Sequence, residues 1–185
     1  MKGPRARHTA VVYQDKMYLF GGQKNCEENC STMHAFDFSM STWELVEYTG
    51  TVEPPELDSQ TANLWEVPSE EGDPKVYMIV FGGFIGGKIG DYTNQVMKYD
   101  FQEKSWEVLF ANQPDAHPSY PYKRMGHGAA IIKDSLYIFG GTDSDLRFGD
   151  LWTFDLVNKA WKQIVVEGLA PEVNTFFPWQ SLYRP

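Results

Sequence analysis

One pattern of residues recurs three times in fixed order along this chain, and it leaves few folds open. Three short apolar and aromatic runs end in a glycine doublet: Met17 to Phe20 before Gly21-Gly22, Tyr77 to Phe81 before Gly82-Gly83, and Leu136 to Phe139 before Gly140-Gly141. Each run has the length and composition of a buried strand, and the glycines stop it. An aromatic residue followed by Asp comes next (Phe36-Asp37, Tyr99-Asp100, Phe154-Asp155), and then a single tryptophan, Trp43, Trp106 or Trp161. A polar segment also leads into an apolar strand ahead of the runs, with Arg7-His8 in the first copy and Arg124 to His127 in the third. In the middle copy Gln60 stands where the others carry His8 and His127.

Each copy therefore predicts four strands, A to D, and successive doublets lie about 60 residues apart, a period that marks a repeat architecture. Composition agrees: 15% of the residues are aromatic and glycine and proline are plentiful, which favours strands and turns over helices. The boundaries implied are blade one over about 4–48, blade two over about 55–111 and blade three over about 121–166, with the first strand of a fourth over about 171–185, all within one domain spanning 1–185.

The ordered series of Arg/His strand, Gly-Gly strand, aromatic-Asp strand and Trp strand resembles the kelch repeat over nearly the whole chain, most of all the type found in the Rab9 effector, the leucine-zipper-like regulator and host cell factor. The resemblance implies an all-β fold of propeller blades, each a four-stranded antiparallel meander. Three blades and one strand make a partial propeller. Rings of this kind close with about four to eight blades, so the resemblance predicts either further blades from a longer chain, a second copy, or a partner along the open sides.

Within that frame the signature residues read as structural. His8, Gly21, Gly22, Trp43, Gly82, Gly83, Trp106, His127, Gly140, Gly141 and Trp161 occupy repeated positions, whereas a catalytic group is needed once. The charges of Asp37, Asp100 and Asp155, like those of Arg7 and Arg124, are expected to be held in turns or pairs, because buried charge needs partners.

The net charge of −9, from 25 acidic and 16 basic residues, disfavours nucleic acid as a partner. No apolar run approaches the ~20 residues of a membrane span, so no membrane association is expected, and with no leader pattern at the start the expected location is cytoplasmic, the nucleus being the alternative. Cys26 and Cys30 are too few for a disulfide framework or a zinc site. The run from Gly82 to Ile89 fails as a phosphate loop, since Ile89 replaces the hydroxyl residue. No cofactor, metal or catalytic residue is predicted.

Function is expected in the loops. The B–C loops and D–A links emerge on one end of the blades and are longer than the A–B turns of blades one and three, and long loops on a rigid scaffold commonly carry binding. Tyr92, Tyr120, Tyr122, Arg147 and Phe148 lie there and are of types enriched at binding hot spots; alternatively, they brace their own loops. An acidic A–B insertion, Glu66 to Asp73, lies on the opposite face. The leading expectation is a module that binds a protein or peptide as scaffold, adaptor or effector. The alternative is an enzyme or specifier of kelch architecture acting on a small molecule at the central channel.

Overall fold

The computed structural model describes residues 4–24, 28–70, 72–86, 90–115 and 117–165, and every regular element among them is a β-strand. Blade one opens with the short β1 (Arg5–Ala6) and continues through β2 (Thr9–Tyr13), β3 (Lys16–Phe20), β4 (Gln23–Lys24), β5 (Glu28–Asn29), β6 (Met33–Asp37) and β7 (Thr42–Val46). Blade two repeats the series as β8 (Leu57–Asp58), β9 (Thr61–Val67), β10 (Lys75–Phe81), β11 (Phe84–Ile85), β12 (Asp91–Tyr92), β13 (Val96–Asp100) and β14 (Ser105–Phe110). Blade three consists of β15 (Gly128–Ile132), β16 (Ser135–Phe139), β17 (Leu151–Asp155) and β18 (Ala160–Ile164).

Three four-stranded antiparallel meanders result, β2-β3-β6-β7, β9-β10-β13-β14 and β15-β16-β17-β18. Small sheets cap blades one and two at the loop end, in the orders β1-β4-β5 and β8-β11-β12. Isolated bridges from Thr142 to Met125 and to Arg147 occupy the corresponding place in blade three. The three expected blades are therefore present as sheets; the strand expected over 171–185, and Cys26, lie outside the described residues.

Turn chemistry explains the repeated Asp. Asp37 Oδ1 accepts the backbone N–H groups of Ser39 and Met40, Asp100 Oδ1 those of Gln102 and Glu103, and Asp155 Oδ1 those of Val157 and Asn158. Each carboxylate thus stands in for a backbone acceptor and closes the turn into the outermost strand. The Ser39 hydroxyl and these amides hold the Asp37 carboxyl below its usual range, and Asn158 does the same for Asp155. Two-residue turns join β2 to β3 and β15 to β16, while seven residues, 68–74, separate β9 from β10. Glu66 itself pairs with Val76 inside the sheet, so the acidic insertion begins later than its composition suggests.

Strands β2, β9 and β15 lie side by side around the inner edge. Arg7, Ser59 and Gly126, all with φ between 56° and 63°, mark the same point just before these strands. The Ser59 N–H donates to the Arg7 carbonyl at 2.9 Å and the Gly126 N–H to the Ser59 carbonyl at 3.1 Å, so a backbone hydrogen bond steps from each blade to the next. This register corrects one reading of the sequence. The counterpart of Arg124 is Arg5 and not Arg7: Arg5 donates to the Gly21 carbonyl at 3.1 Å as Arg124 donates to the Gly140 carbonyl at 3.0 Å. Arg7 instead keeps 54% of its side chain exposed, 3.9 Å from Asp58.

The core is the pair of seams between blades. Val11, Phe20 and Met33 of blade one meet Met78, Val80, Met97, Tyr99 and Trp106 of blade two. Trp65, Ile79, Phe81 and Val96 meet Leu136, Ile138, Trp152, Phe154 and Leu156 of blade three. The tryptophans of blades two and three project toward the preceding blade: the Trp106 ring lies 4.9 Å from Phe20 and the Trp161 ring 5.2 Å from Phe81. Glycine is required where backbones cross this seam. A Cβ on Gly82 would sit 2.8 Å from the Arg124 carbonyl and 2.8 Å from His127 of the next blade, and φ there is +65°.

Candidate functional site

The loop end of blades two and three is organised by buried polar side chains. Thr93 and Asn94, which follow β12, are 1% and 0% exposed. The Asn94 side chain donates to the Pro121 carbonyl at 3.1 Å and accepts the Gln113 N–H at 2.8 Å. The Thr93 hydroxyl donates to Asn112 Oδ1 at 3.1 Å, and the Thr93 carbonyl accepts the Arg124 N–H. Buried amides cost free energy unless paired, so this network fixes the D–A link onto the B–C loop of blade two in one conformation. Further ties come from Lys123 to Asp91 at 2.7 Å and from the Asp115 carboxylate, which accepts the Lys123 N–H at 2.9 Å.

Arg124 is the second organising group and is 0% exposed. Its Nη1 and Nη2 donate to Asp150 Oδ1 and Oδ2 at 2.6 and 3.0 Å, in the two-pronged geometry that suits guanidinium and carboxylate. Its Cζ lies 4.3 Å from the centre of the Phe148 ring, which in turn stacks against Tyr122 at 5.7 Å. The Trp152 indole N–H donates to Asp150 Oδ2 at 2.6 Å. Burial alone would raise the Asp150 carboxyl, but Arg124 and Trp152 outweigh it and hold the group below its usual range.

Above this pair opens a cleft of about 330 Å³, lined by His117, Pro118 and Tyr122 from the D–A link and by Asp150, Trp152 and Gln163 from blade three. His117 stacks on Tyr120 with ring centres 4.7 Å apart and planes 7° from parallel. The Ser119 N–H donates to His117 Nδ1 at 3.2 Å.

The five loop residues singled out from the sequence take different places here. Tyr122 lines the cleft, and Tyr120 supports its wall through His117 and Phe110. Phe148 is 8% exposed and stacked under Arg124 and Tyr122, so it braces the loop. Tyr92 packs on Phe84 and its hydroxyl hydrogen-bonds the Ser144 hydroxyl, tying the B–C loops of blades two and three together. Arg147 is exposed at the loop tip. Sequence reasoning missed His117, Pro118, Asp150, Trp152 and Gln163. The one available signal was Asp150-Leu151-Trp152, an acid directly before a C strand that the first two blades replace with Thr32 and Gln95.

The signature histidines differ. His127 is 4% exposed, hydrogen-bonded through Nε2 to Thr61 at 2.9 Å, and burial together with the Arg124 charge pulls it down to about 3, so it is neutral and structural at physiological pH. His8 is exposed, and partial burial and Arg5 lower it less. Gln60, 5% exposed, donates to the Phe20 carbonyl at 3.0 Å across the seam. Among the described residues no three His, Cys, Asp or Glu side chains come together to hold a metal ion, and no helix is long and apolar enough to cross a membrane.

The description KLHDC2/KLHL20/DRC7 Kelch-repeats domain matches residues 8–177. The chain is 27% identical over 180 residues to the leucine-zipper-like transcriptional regulator 1 homolog of Drosophila melanogaster, covering 94% of this chain and 17% of that protein. It is 30% identical over 181 residues to kelch domain-containing protein 3 of Homo sapiens, covering 91% and 43%. It is 31% identical over 173 residues to acyl-CoA-binding domain-containing protein 5 of Arabidopsis thaliana, covering 91% and 25%. The chain thus spans less than half the length of each of these three relatives. Four-stranded blades, the repeated signature and the match over residues 8–177 together establish that this chain belongs to the kelch-repeat family, whose propellers serve in general as protein-interaction modules.

Proposed function

We propose that this chain engages a protein or peptide partner through the face formed by its B–C loops and D–A links. The observation that carries the reading is the locked loop end of blades two and three. There Asn94 and Thr93 use buried polar groups to fix the D–A link onto the B–C loop, and the Arg124–Asp150 pair braces the same end. Loops held in one conformation lose little entropy on binding, which is how a rigid face gains affinity. The A–B face offers less: two of its three turns are two residues long.

The same face carries the residue types of hot spots, Tyr122 at the cleft and Arg147 at a loop tip. The role of scaffold, adaptor or effector belongs to whatever protein carries these blades. A photo-crosslinking side chain placed at Tyr120 or Arg147, against one placed at Gln14 or Lys133 on the A–B turns, tests the reading in cells. Adducts to one discrete protein from the first two positions only are expected. Adducts from the A–B positions alone, or from all four equally, would overturn it.

A further inference from the structure

The cleft beside Asp150 has a definite chemistry. Among the described residues its only carboxylate is Asp150, whose side chain keeps 20% exposure, while the compensating Arg124 is fully buried behind it and covered by Phe148. A ligand in the cleft therefore meets the negative edge of the pair and not its positive end. A carboxylate offers about four lone-pair sites. Arg124 Nη1 donates to Oδ1, Arg124 Nη2 and the Trp152 indole both donate to Oδ2, and the Asp150 backbone N–H also bonds the carboxylate, so Oδ1 is the less heavily used oxygen among the side-chain contacts. Tyr122 and Gln163 also line the cleft, and no hydrogen bond from either side chain ties it to another described residue.

Among the described residues the rest of the lining is His117, Tyr122 and Pro118, with Trp152 only 4% exposed. Aromatic faces attract cations, and a flat guanidinium both stacks on them and presents five N–H donors to scattered acceptors. A lysine ammonium supplies charge but no plane. The chain's net charge of −9 adds a long-range attraction for basic partners. We propose that this cleft receives one arginine side chain of a protein partner, stacked on the His117 and Tyr122 rings of the D–A link, with its N–H groups shared among Asp150, Tyr122 and Gln163. The proposal rests on the reading of the loop face as the binding face and specifies what that face recognises.

The test uses the full chain, labelled at its tryptophan indoles, titrated with the peptide acetyl-Gly-Arg-Gly-amide and with versions carrying citrulline, lysine or leucine in place of arginine. A single side chain is expected to bind only at roughly millimolar concentration. The arginine peptide should move the Trp152 indole resonance, with citrulline at least about tenfold weaker, because it keeps the shape and loses the charge. Lysine should fall between them. Asp150→Asn strands the buried Arg124 charge and threatens the fold, so Gln163→Met and Tyr122→Phe serve instead; each should weaken the arginine peptide about threefold with the melting temperature unchanged. Equal binding of citrulline or leucine, no movement of Trp152 up to about 10 mM, or full affinity in both variants would overturn the proposal. Loop-face crosslinks that persist when the peptide fails would sink this assignment alone. A peptide that binds when the crosslinks map to the A–B face would sink the wider reading.

Discussion

Blades one and two present the same side to different surroundings. On blade two the side facing backward carries Leu64, Met78, Val80, Met97, Tyr99 and Trp106, all packed against blade one. On blade one the matching positions are Val12, Met17, Leu19, His34, Phe36 and Trp43, by the same strand register. No described sheet lies against them. Trp43 is 36% exposed where Trp106 is 5%, and Phe38 is 50% exposed where Phe101 packs edge-on against Tyr18 at 4.8 Å. A repeat signature therefore has no fixed energetic worth: the neighbour sets it, as the nearest-neighbour logic of repeat proteins requires.

The largest effect expected from that difference is at the tryptophans. Trp106→Ala removes a ring locked between Phe20 and Tyr99 and should cost about 3–5 kcal/mol. Trp43→Ala loses chiefly its contact with Phe36 and should cost about 1 kcal/mol. Urea unfolding of both variants against the parent measures the pair. Equal losses would break the comparison, and would mean that in solution another surface covers the backward side of blade one. A further blade or a second copy would do so, and light scattering across a concentration series separates them: a dimer that Trp43→Ala dissociates identifies the second copy.

A smaller contrast concerns the first glycine of each doublet. Gly82 and Gly140 share φ near +70°, so alanine pays the same backbone strain at both. They differ in space: a Cβ on Gly82 meets the Arg124 carbonyl and His127 of the next blade at 2.8 Å, whereas on Gly140 the nearest atom is the Phe148 carbonyl of its own blade at 3.4 Å. Gly82→Ala should lower the unfolding free energy by about 2 kcal/mol more than Gly140→Ala, by the cost of forcing atoms into a packed core. A matching loss at Gly140 would indicate that another blade crowds it in solution.

These contrasts show what the sequence could reveal. The doublets, the aromatic-Asp turns and the tryptophans were legible because each solves a problem local to one blade and so recurs at one period. The equivalence of Arg5 with Arg124 was hidden, since two arginines within four residues both fit the period and only the carbonyl they reach distinguishes them. The site was harder still. Asp150 takes its meaning from Arg124, 26 positions away, and Asn94 takes its own from Gln113 and Pro121. The Asn94 pairing is made once, and the Arg124–Asp150 pairing recurs in blade one with a different partner type, Arg5 to Thr32 at 3.3 Å, so no repeated residue type advertises either. Aromatic type alone could not separate Tyr122, which lines the cleft, from Phe148, which is buried behind it.

The most delicate contrast lies between the two histidines and is read through pH. His127 is buried against Thr61 and held at about 3, far below the ordinary histidine range, while exposed His8 is lowered less. Because the folded value at His127 is depressed, the unfolded chain takes up the proton first. The stability it contributes is complete above pH about 6.5 and is lost as pH falls from there toward 3, at up to about 1.4 kcal/mol per pH unit. Asp150, also depressed, adds its loss only below the ordinary carboxylate range, near pH 4. The window between pH 6 and 4.5 is therefore dominated by His127, with smaller losses from His34 and His8, which burial also lowers. His127→Gln, the residue that blade two already carries as Gln60, should flatten the acid slope in that window, and His8→Gln should change it little. Unfolding midpoints at pH 7, 6, 5 and 4.5 decide the matter. A slope that survives in His127→Gln would place the acid sensitivity outside the seam between blades two and three, and a slope that vanishes in His8→Gln would mean that His8 too is buried in solution, with a blade against it.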